Sequence, residues 1–316
     1  MKINVFAEKA VREIPLMELG DVLQSREGVV WVDMTGPSEE DVRVLHDVFK
    51  FHPLAIEDTQ NHNQRPKAEE YSDHVFIILN PVEDDGQTCT FRELDIFIGW
   101  NYIVSVHAAA EPTVEQAFKR INPLHMPVSV TATYLLYVLM DTIVDEYFPV
   151  LDRIEEELGK LNNELLTRPS KHVLSRLFQL KTTLSLFWRV LWPQKDVLNV
   201  LMNHNLAFID KNTRYYLRDV ADHLQRITDE VHFFNEMVAG MVNLYTSAFS
   251  NQLNQVVNRL TVFTITIGAL SVIVGFYGMN FQQTWPPTDS IWGTPFALGL
   301  MIAVVVVSLI VFRRRD

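Results

Sequence analysis

The spacing of hydrophobic positions changes twice along the chain. Over roughly the first 125 residues they fall in short runs. VVWVDM (Val29–Met34) and HVFIILN (His74–Asn80) read as strands, and FRELDIFIGW followed by YIVSVH (Tyr102–His107) reads as a hairpin turning near Asn101. PSEEDVRVLHDVF (Pro37–Phe49) predicts a helix, because Ser38 stands three residues before Asp41 and acids fill the first turn. From about Ser129 the period becomes helical. Leu151, Ile154, Leu158, Leu161 and Leu165 step by 3, 4, 3, 4, a heptad seam for a partner helix. Leu177, Leu180, Leu184, Phe187 and Leu191 resume the stepping after a break at Arg168-Pro169. Pro193 is the last proline before Pro286, so nothing forces a helix to stop between about Arg214 and Tyr277. Uninterrupted, that helix would run about 95 Å.

At the C-terminus periodicity gives way to continuous apolar sequence. Leu260–Tyr277 and Phe296–Phe312 carry no charge, and each is long enough to cross a bilayer's hydrocarbon core. A pair of buried helices in a soluble core is the weaker reading. The only charge between Arg259 and Arg313 is Asp289. Arg259 precedes the first run, Arg313, Arg314 and Arg315 follow the second, and the intervening loop has no Lys or Arg. The positive-inside rule then places both termini in the cytoplasm and the loop outside, with Tyr277, Trp285 and Trp292 near the outer interface. The expected organisation is an α/β cytosolic domain (1–125), long cytosolic helices (126–258) and a membrane domain (259–316). Its spans are about 260–279 and 295–312, with an external loop at 281–294.

Composition narrows the chemistry. The 316 residues hold 27 Lys+Arg against 39 Asp+Glu, a formal net charge of −12. Such a chain is a poor match for nucleic acid and a better one for cations. Its one cysteine, Cys89, excludes an intramolecular disulfide and CxxC metal sites. There is no P-loop, no HExxH and no nucleophile–base constellation at recognisable spacing, so neither an enzyme nor a nucleotide-driven pump is expected, and no resident cofactor. His223 and His232 read as partly solvated, and Glu155, Glu156 and Glu157 as a solvated helix face.

Two spans cannot enclose an aqueous path, so a pore needs several chains in a ring. Asn254, Thr261, Thr264, Gly268, Ser271 and Gly275 step by 7, 3, 4, 3, 4 along one face of the first span. Small and polar residues on one face line either a pore or a helix–helix interface, and composition does not choose between them. Neither span holds the carboxylate or histidine that proton-coupled pumps use. A passing cation would meet neutral oxygens, which suit an ion that keeps its water shell, as magnesium does.

The first span ends Tyr277-Gly278-Met279-Asn280-Phe281. In this position, before a short loop and a second span, the segment resembles the YGMNF signature of the CorA family of magnesium and cobalt transporters. LAIEDTQNHNQRPKAEEYSDHVFIIL (Leu54–Leu79), YLLYVLMDTIVDEYF, RPSKHV, LWPQKDVL and YYLRDVADH follow in the family's order, so the likeness covers most of the chain. It implies a funnel-shaped homopentamer whose first span lines the pore. Gly278, Met279 and Asn280 would form the outer selectivity ring, and Asn254 the cytoplasmic-end asparagine. Thr261, Thr264, Gly268, Ser271 and Gly275 would line the path, with Val257 and Leu260 at the constriction. The likeness also implies that cytosolic magnesium, bound between subunits, holds the pore closed. The positions in register are Asp85, with Asp84 beside it, Asp141, Asp219 and Asp222. Solvated loop and helix charges are the alternative reading of those runs.

The sequence departs from the family in three places. The loop after the signature, Phe281–Asp289, lacks an acid near it, with Asp289 the only substitute; Gly268 falls where some relatives carry a bulky apolar residue; and the tail ends in RRRD. The implied cargo is magnesium, with cobalt and nickel as further candidates. The alternatives are the zinc-transporting branch of the same superfamily and a non-conducting, membrane-anchored metal sensor.

Overall fold

The computed structural model describes all residues except 8–9, 62–63, 87, 122–129, 168, 204–205, 207, 210, 280–290 and 314–316. By its internal contacts the chain forms two compact units, Met1–Met241 and Val242–Asp316. The expected boundary at 125 lies outside the described residues, and the one at 258 falls inside the continuous helix Lys211–Gly278. The long helices as far as Met241 belong to the same compact unit as the sheet.

The first unit is built on a seven-stranded sheet of order β2-β1-β3-β9-β8-β5-β4. Its strands are β1 (Lys2–Ala7), β2 (Ala10–Glu13), β3 (Val29–Thr35), β4 (Lys67–Glu70), β5 (Val75–Leu79), β8 (Leu94–Ile98) and β9 (Tyr102–His107). β3 and β9 pair in parallel, and the other neighbours are antiparallel. The hairpin expected near Asn101 is β8–β9, with Ile98 opposite Ile103. β5, β8 and most of β9 are buried on both faces, so they read as apolar runs instead of alternating. A separate two-stranded sheet joins β6 (Val82–Asp84) and β7 (Cys89–Phe91).

Helices cover both faces of the large sheet. α1 (Leu16–Ser25), α2 (Glu39–Asp47) and α3 (Pro53–Asp58) pack Leu19, Leu45 and Ala55 onto Val30, Val32 and Phe97. The expected cap of α2 is present: Asp41 donates its backbone N–H to the Ser38 hydroxyl, and its carboxylate accepts from the Ser38 N–H. On the other face Phe118 of α4 (Pro112–Arg120) meets Phe6 and Trp31, and α5 (Ala132–Asp145) lies over β8 and β9.

α6 (Tyr147–Thr167) and α7 (Lys171–Asn203) flank the break at Pro169, and both predicted leucine seams are buried. Glu157 departs from the expected solvated face, because Arg176 of α7 takes its carboxylate at 2.8 Å through Nε. α8 (Lys211–Gly278) is one continuous helix of 68 residues, as the absence of proline allows. The second unit holds the last part of α8 and α9 (Gly293–Arg313), and both helices are long and apolar enough to cross a membrane.

Candidate functional site

In the second unit, α8 touches α9 along one narrow stripe. Val262, Thr266, Ala269, Ile273 and Tyr277 are half-buried on α8, as are Ala297, Met301, Val304 and Ser308 on α9. Their steps of 3 and 4 are those of a helix–helix seam. A hydrogen bond of 2.5 Å between the Thr266 and Ser308 hydroxyls ties it. At roughly 100° per residue, the stripe Asn254, Thr261, Thr264, Gly268, Ser271 and Gly275 is centred about 150° away from this seam. All six are exposed. A Cβ added at Gly268, Gly275 or Gly278 would meet nothing within 4 Å. The smallness of this face is therefore not a requirement of the chain's own second span. Among the described residues nothing covers this face.

The hydroxyls on this face have a fixed polarity. Thr261 donates to the Val257 carbonyl and Thr264 to the Leu260 carbonyl, each at 2.8 Å. With its proton held by the helix, each hydroxyl oxygen presents lone pairs outward. Such oxygens accept from the water shell of a cation and repel anions. Val257 and Leu260, 52% and 65% exposed, share this side of the helix and supply its apolar part. Gly278 closes α8 and Met279 follows it, 56% exposed. Asn280 lies outside the described residues.

The carboxylates expected to bind regulatory metal occupy separate places in the first unit. Asp84 ends β6 and accepts from Arg153 at 2.7 and 3.0 Å, so its charge is already paired. Asp85 opens the β6–β7 turn and accepts from the Thr88 N–H at 2.6 Å and the Thr88 hydroxyl at 2.9 Å. Asp219 and Asp222 stand exposed on α8. Asp141 is on α5, with its side chain only 7% exposed.

α5 and α8 pack side by side through Thr133 on Thr213, Tyr137 on Tyr216, and Asp141 toward His223. Burial, then the charges of Asp141 and Asp219, push the Tyr137 hydroxyl up to about 12, so both carboxylates act on one neighbourhood. One ligand atom each from Asp141, Asp145 and His223 lies within 4.8 Å of the others, a set able to hold a metal ion. Arg120 reaches Asp141 at 2.5 Å and Asp145 at 3.1 Å. Burial and the Asp145 charge still raise Asp141 above the usual carboxylate range, outweighing the guanidinium. His223 Nδ1 stops 3.9 Å from Asp141 Oδ1, beyond hydrogen-bond length.

Sequence reasoning named Asp141, read His223 as partly solvated instead of a ligand, and passed over Asp145. His223 is partly solvated, as expected, at 40% exposed, yet it faces the carboxylates. The available signal was helical spacing: Asp145 follows Asp141 by four residues, and His223 follows Asp219 by four.

The family model described as "CorA-like Mg2+ transporter protein" matches residues 26–314. The chain is 32% identical over its whole length to the cobalt/magnesium transport protein CorA of Thermotoga maritima, covering 91% of that protein. It is 30% identical to the putative metal ion transporter YfjQ of Bacillus subtilis, over 89% of this chain and 88% of that one. Its fold matches the complete structure of the CorA magnesium transporter from Methanocaldococcus jannaschii, with a TM-score of 0.85 and 22% identity over 100% of this chain and 98% of the other. The α/β unit, the unbroken 68-residue helix and the two apolar C-terminal helices thus have their counterpart from end to end, and the chain belongs to the CorA-like Mg2+ transporter family.

Proposed function

We propose that five copies of this chain form a funnel-shaped pore in the cytoplasmic membrane that conducts hydrated divalent cations, magnesium foremost and cobalt and nickel as further cargo. Both termini would face the cytosol. The observation that carries the reading is the exposed face of α8 opposite its α9 seam, lined by outward lone pairs and free of charge. Repeated around a ring, it presents an ion's first water shell with acceptors and no fixed anion to trap it. Magnesium sheds water reluctantly, so passage with the shell intact avoids its largest cost. Gly278, Met279 and Asn280 would form the outer ring, with the Asn280 amide oxygens reading the shell. Val257 and Leu260 would narrow the cytosolic end, near Asn254.

Gating would be a two-state equilibrium biased by cytosolic metal. Asp84, Asp85, Asp141, Asp219 and Asp222 would meet across subunit boundaries, where like charges repel unless a divalent ion sits between them. Asp145 and His223 extend the set. An imidazole among carboxylates suits cobalt or nickel better than magnesium, so this cluster would respond to those ions too.

The test is influx into liposomes loaded with a magnesium-sensitive dye, driven by a magnesium gradient and membrane potential. Wild type should conduct and Asn280→Ala should abolish influx. Absence of magnesium influx in wild type sinks the reading. The same liposomes, loaded with a zinc- or cobalt-sensitive dye, would then separate the zinc branch from a non-conducting sensor.

A further inference from the structure

A second polar site lies in the first unit, and its lining shares no residue with the carboxylate cluster. A cleft of about 700 Å³ opens between the β9 end of the large sheet, the segment leading into β4, and α7. Three arginines line it: Arg65, Arg92 and Arg189. Arg92 is occupied, giving its guanidinium to Glu83 and to the Ala110 carbonyl. The two lining carboxylates, Glu93 and Glu111, each hold hydrogen bonds of their own. Glu93 accepts from the Gln64 N–H at 2.5 Å, and Glu111 caps α4 through Thr113 while lying 3.9 Å from Arg92. Arg65 and Arg189 have no ion-pair partner among the described residues. Three guanidinium groups therefore line the cleft against two carboxylates, in an otherwise strongly acidic protein.

Asn80 supplies an independent observation. It lines the same cleft, is only 7% exposed, and donates Nδ2 to the Arg92 carbonyl at 3.0 Å. That bond fixes the amide's orientation and leaves Oδ1 buried with no protein partner among the described residues. A buried carbonyl oxygen without a donor is costly, and it calls for a hydrogen-bond donor inside the cleft.

We propose that this cleft binds a phosphorylated small molecule, held by Arg65 and Arg189 at its phosphoryl groups and by Asn80 Oδ1 at an amino or hydroxyl group. Guanidinium forks match phosphate oxygens in pairs, and two of them match a multiply charged anion better than a single carboxylate. The volume is that of a site for a nucleotide-sized ligand and exceeds the need of inorganic phosphate. No P-loop takes part. The site is separate from the proposed pore, so its test does not depend on transport.

The full chain, purified in detergent and freed of divalent metal, is titrated calorimetrically with ATP, pyrophosphate and adenosine. Saturable binding of ATP and pyrophosphate is expected, with none for adenosine. The double variant Arg65→Gln, Arg189→Gln should weaken both phosphate compounds by about tenfold or more. ATP binding tighter than pyrophosphate identifies a nucleotide as the ligand; equal binding identifies an inorganic polyphosphate. Both guanidinium-bearing residues are exposed, so the variant should fold. Should it not, Arg65→Lys with Arg189→Lys keeps the charge and removes the forks, and the same weakening is expected. No saturable heat with either phosphate compound up to about 1 mM, or affinities unchanged in the folded double variant, overturns the proposal.

Discussion

Phe97 in the first unit is fully buried, stacked on Phe51 with ring centroids 4.0 Å apart; Phe263 in the second is 67% exposed. Val104 and Val272 make the same contrast, at 0% and 71%. The first unit sorts residues as water requires, with apolar groups inside. The second turns long aliphatic runs outward, which a water-soluble monomer of this size does not do. The difference lies in the surroundings each unit is built for. In lipid the backbone must satisfy itself, which a helix does, while the side chains need no interior. One unit is held by its core. The other is held by its environment and one seam.

The sharpest way to break this contrast is to damage each unit in its own terms. Phe97→Ala removes a ring from the fully buried stack with Phe51 and Phe76. It should cost about 3–5 kcal/mol and lower the melting temperature of the first unit, read by tryptophan fluorescence. Phe263→Ala should leave that transition in place. Next, Val306→Arg puts a charge near the middle of α9, at a residue 46% exposed. It should cost about 3 kcal/mol of insertion, seen as loss of protein from the membrane fraction while the first unit still melts normally. Equal effects of both substitutions on both readouts would erase the distinction between the units.

A third effect separates the interiors by pH. Asp95 on β8 is 1% exposed, and burial, then the charges of Glu93 and Asp58, push its carboxyl up to about 8. Unfolded, it titrates near its ordinary 3.8. Between those values the folded state holds a proton that the unfolded state has released, so stability falls as pH rises from about 4 to about 8. Asp95→Asn should remove this slope and stabilise the first unit above neutrality, by on the order of 2 kcal/mol after relaxation and water entry are allowed for. Thermal melts at pH 5 and pH 8.5 check it. A wild type whose stability does not decline relative to the variant would show that Asp95 ionises freely.

Asp95 also marks where sequence reading stops. The strands around it were legible because their apolar runs are dense, but nothing in LDIFI says that its carboxylate faces the core. The cap at Ser38, both leucine seams and the unbroken α8 were legible because each depends on spacing within one element. The Asp141 cluster was half legible. Helical spacing puts Asp145 beside Asp141, but only the packing of α5 along α8 brings His223 to them. The cleft at Arg65 and Arg189 was not legible at all, since its walls come from segments more than a hundred residues apart.

The stripe on α8 was legible as a face and ambiguous as to purpose, and the smallest effect sharpens that point. The seam with α9 runs through Thr266, whose hydroxyl donates to the Val262 carbonyl at 2.7 Å and also meets Ser308. A hydroxyl has one proton, so with Thr266 committed to its helix, Ser308 is the donor between the two. Ser308→Ala should therefore remove the interhelical bond at a cost of about 0.6 kcal/mol, the usual scale for such bonds in membranes. Ser271→Ala, on the opposite face, removes a hydroxyl that makes no contact with α9. It should leave detergent stability unchanged and alter only ion flux. A loss of stability for Ser271→Ala as large as for Ser308→Ala would mean that the polar face packs against another helix, and the pore reading of that face would fail.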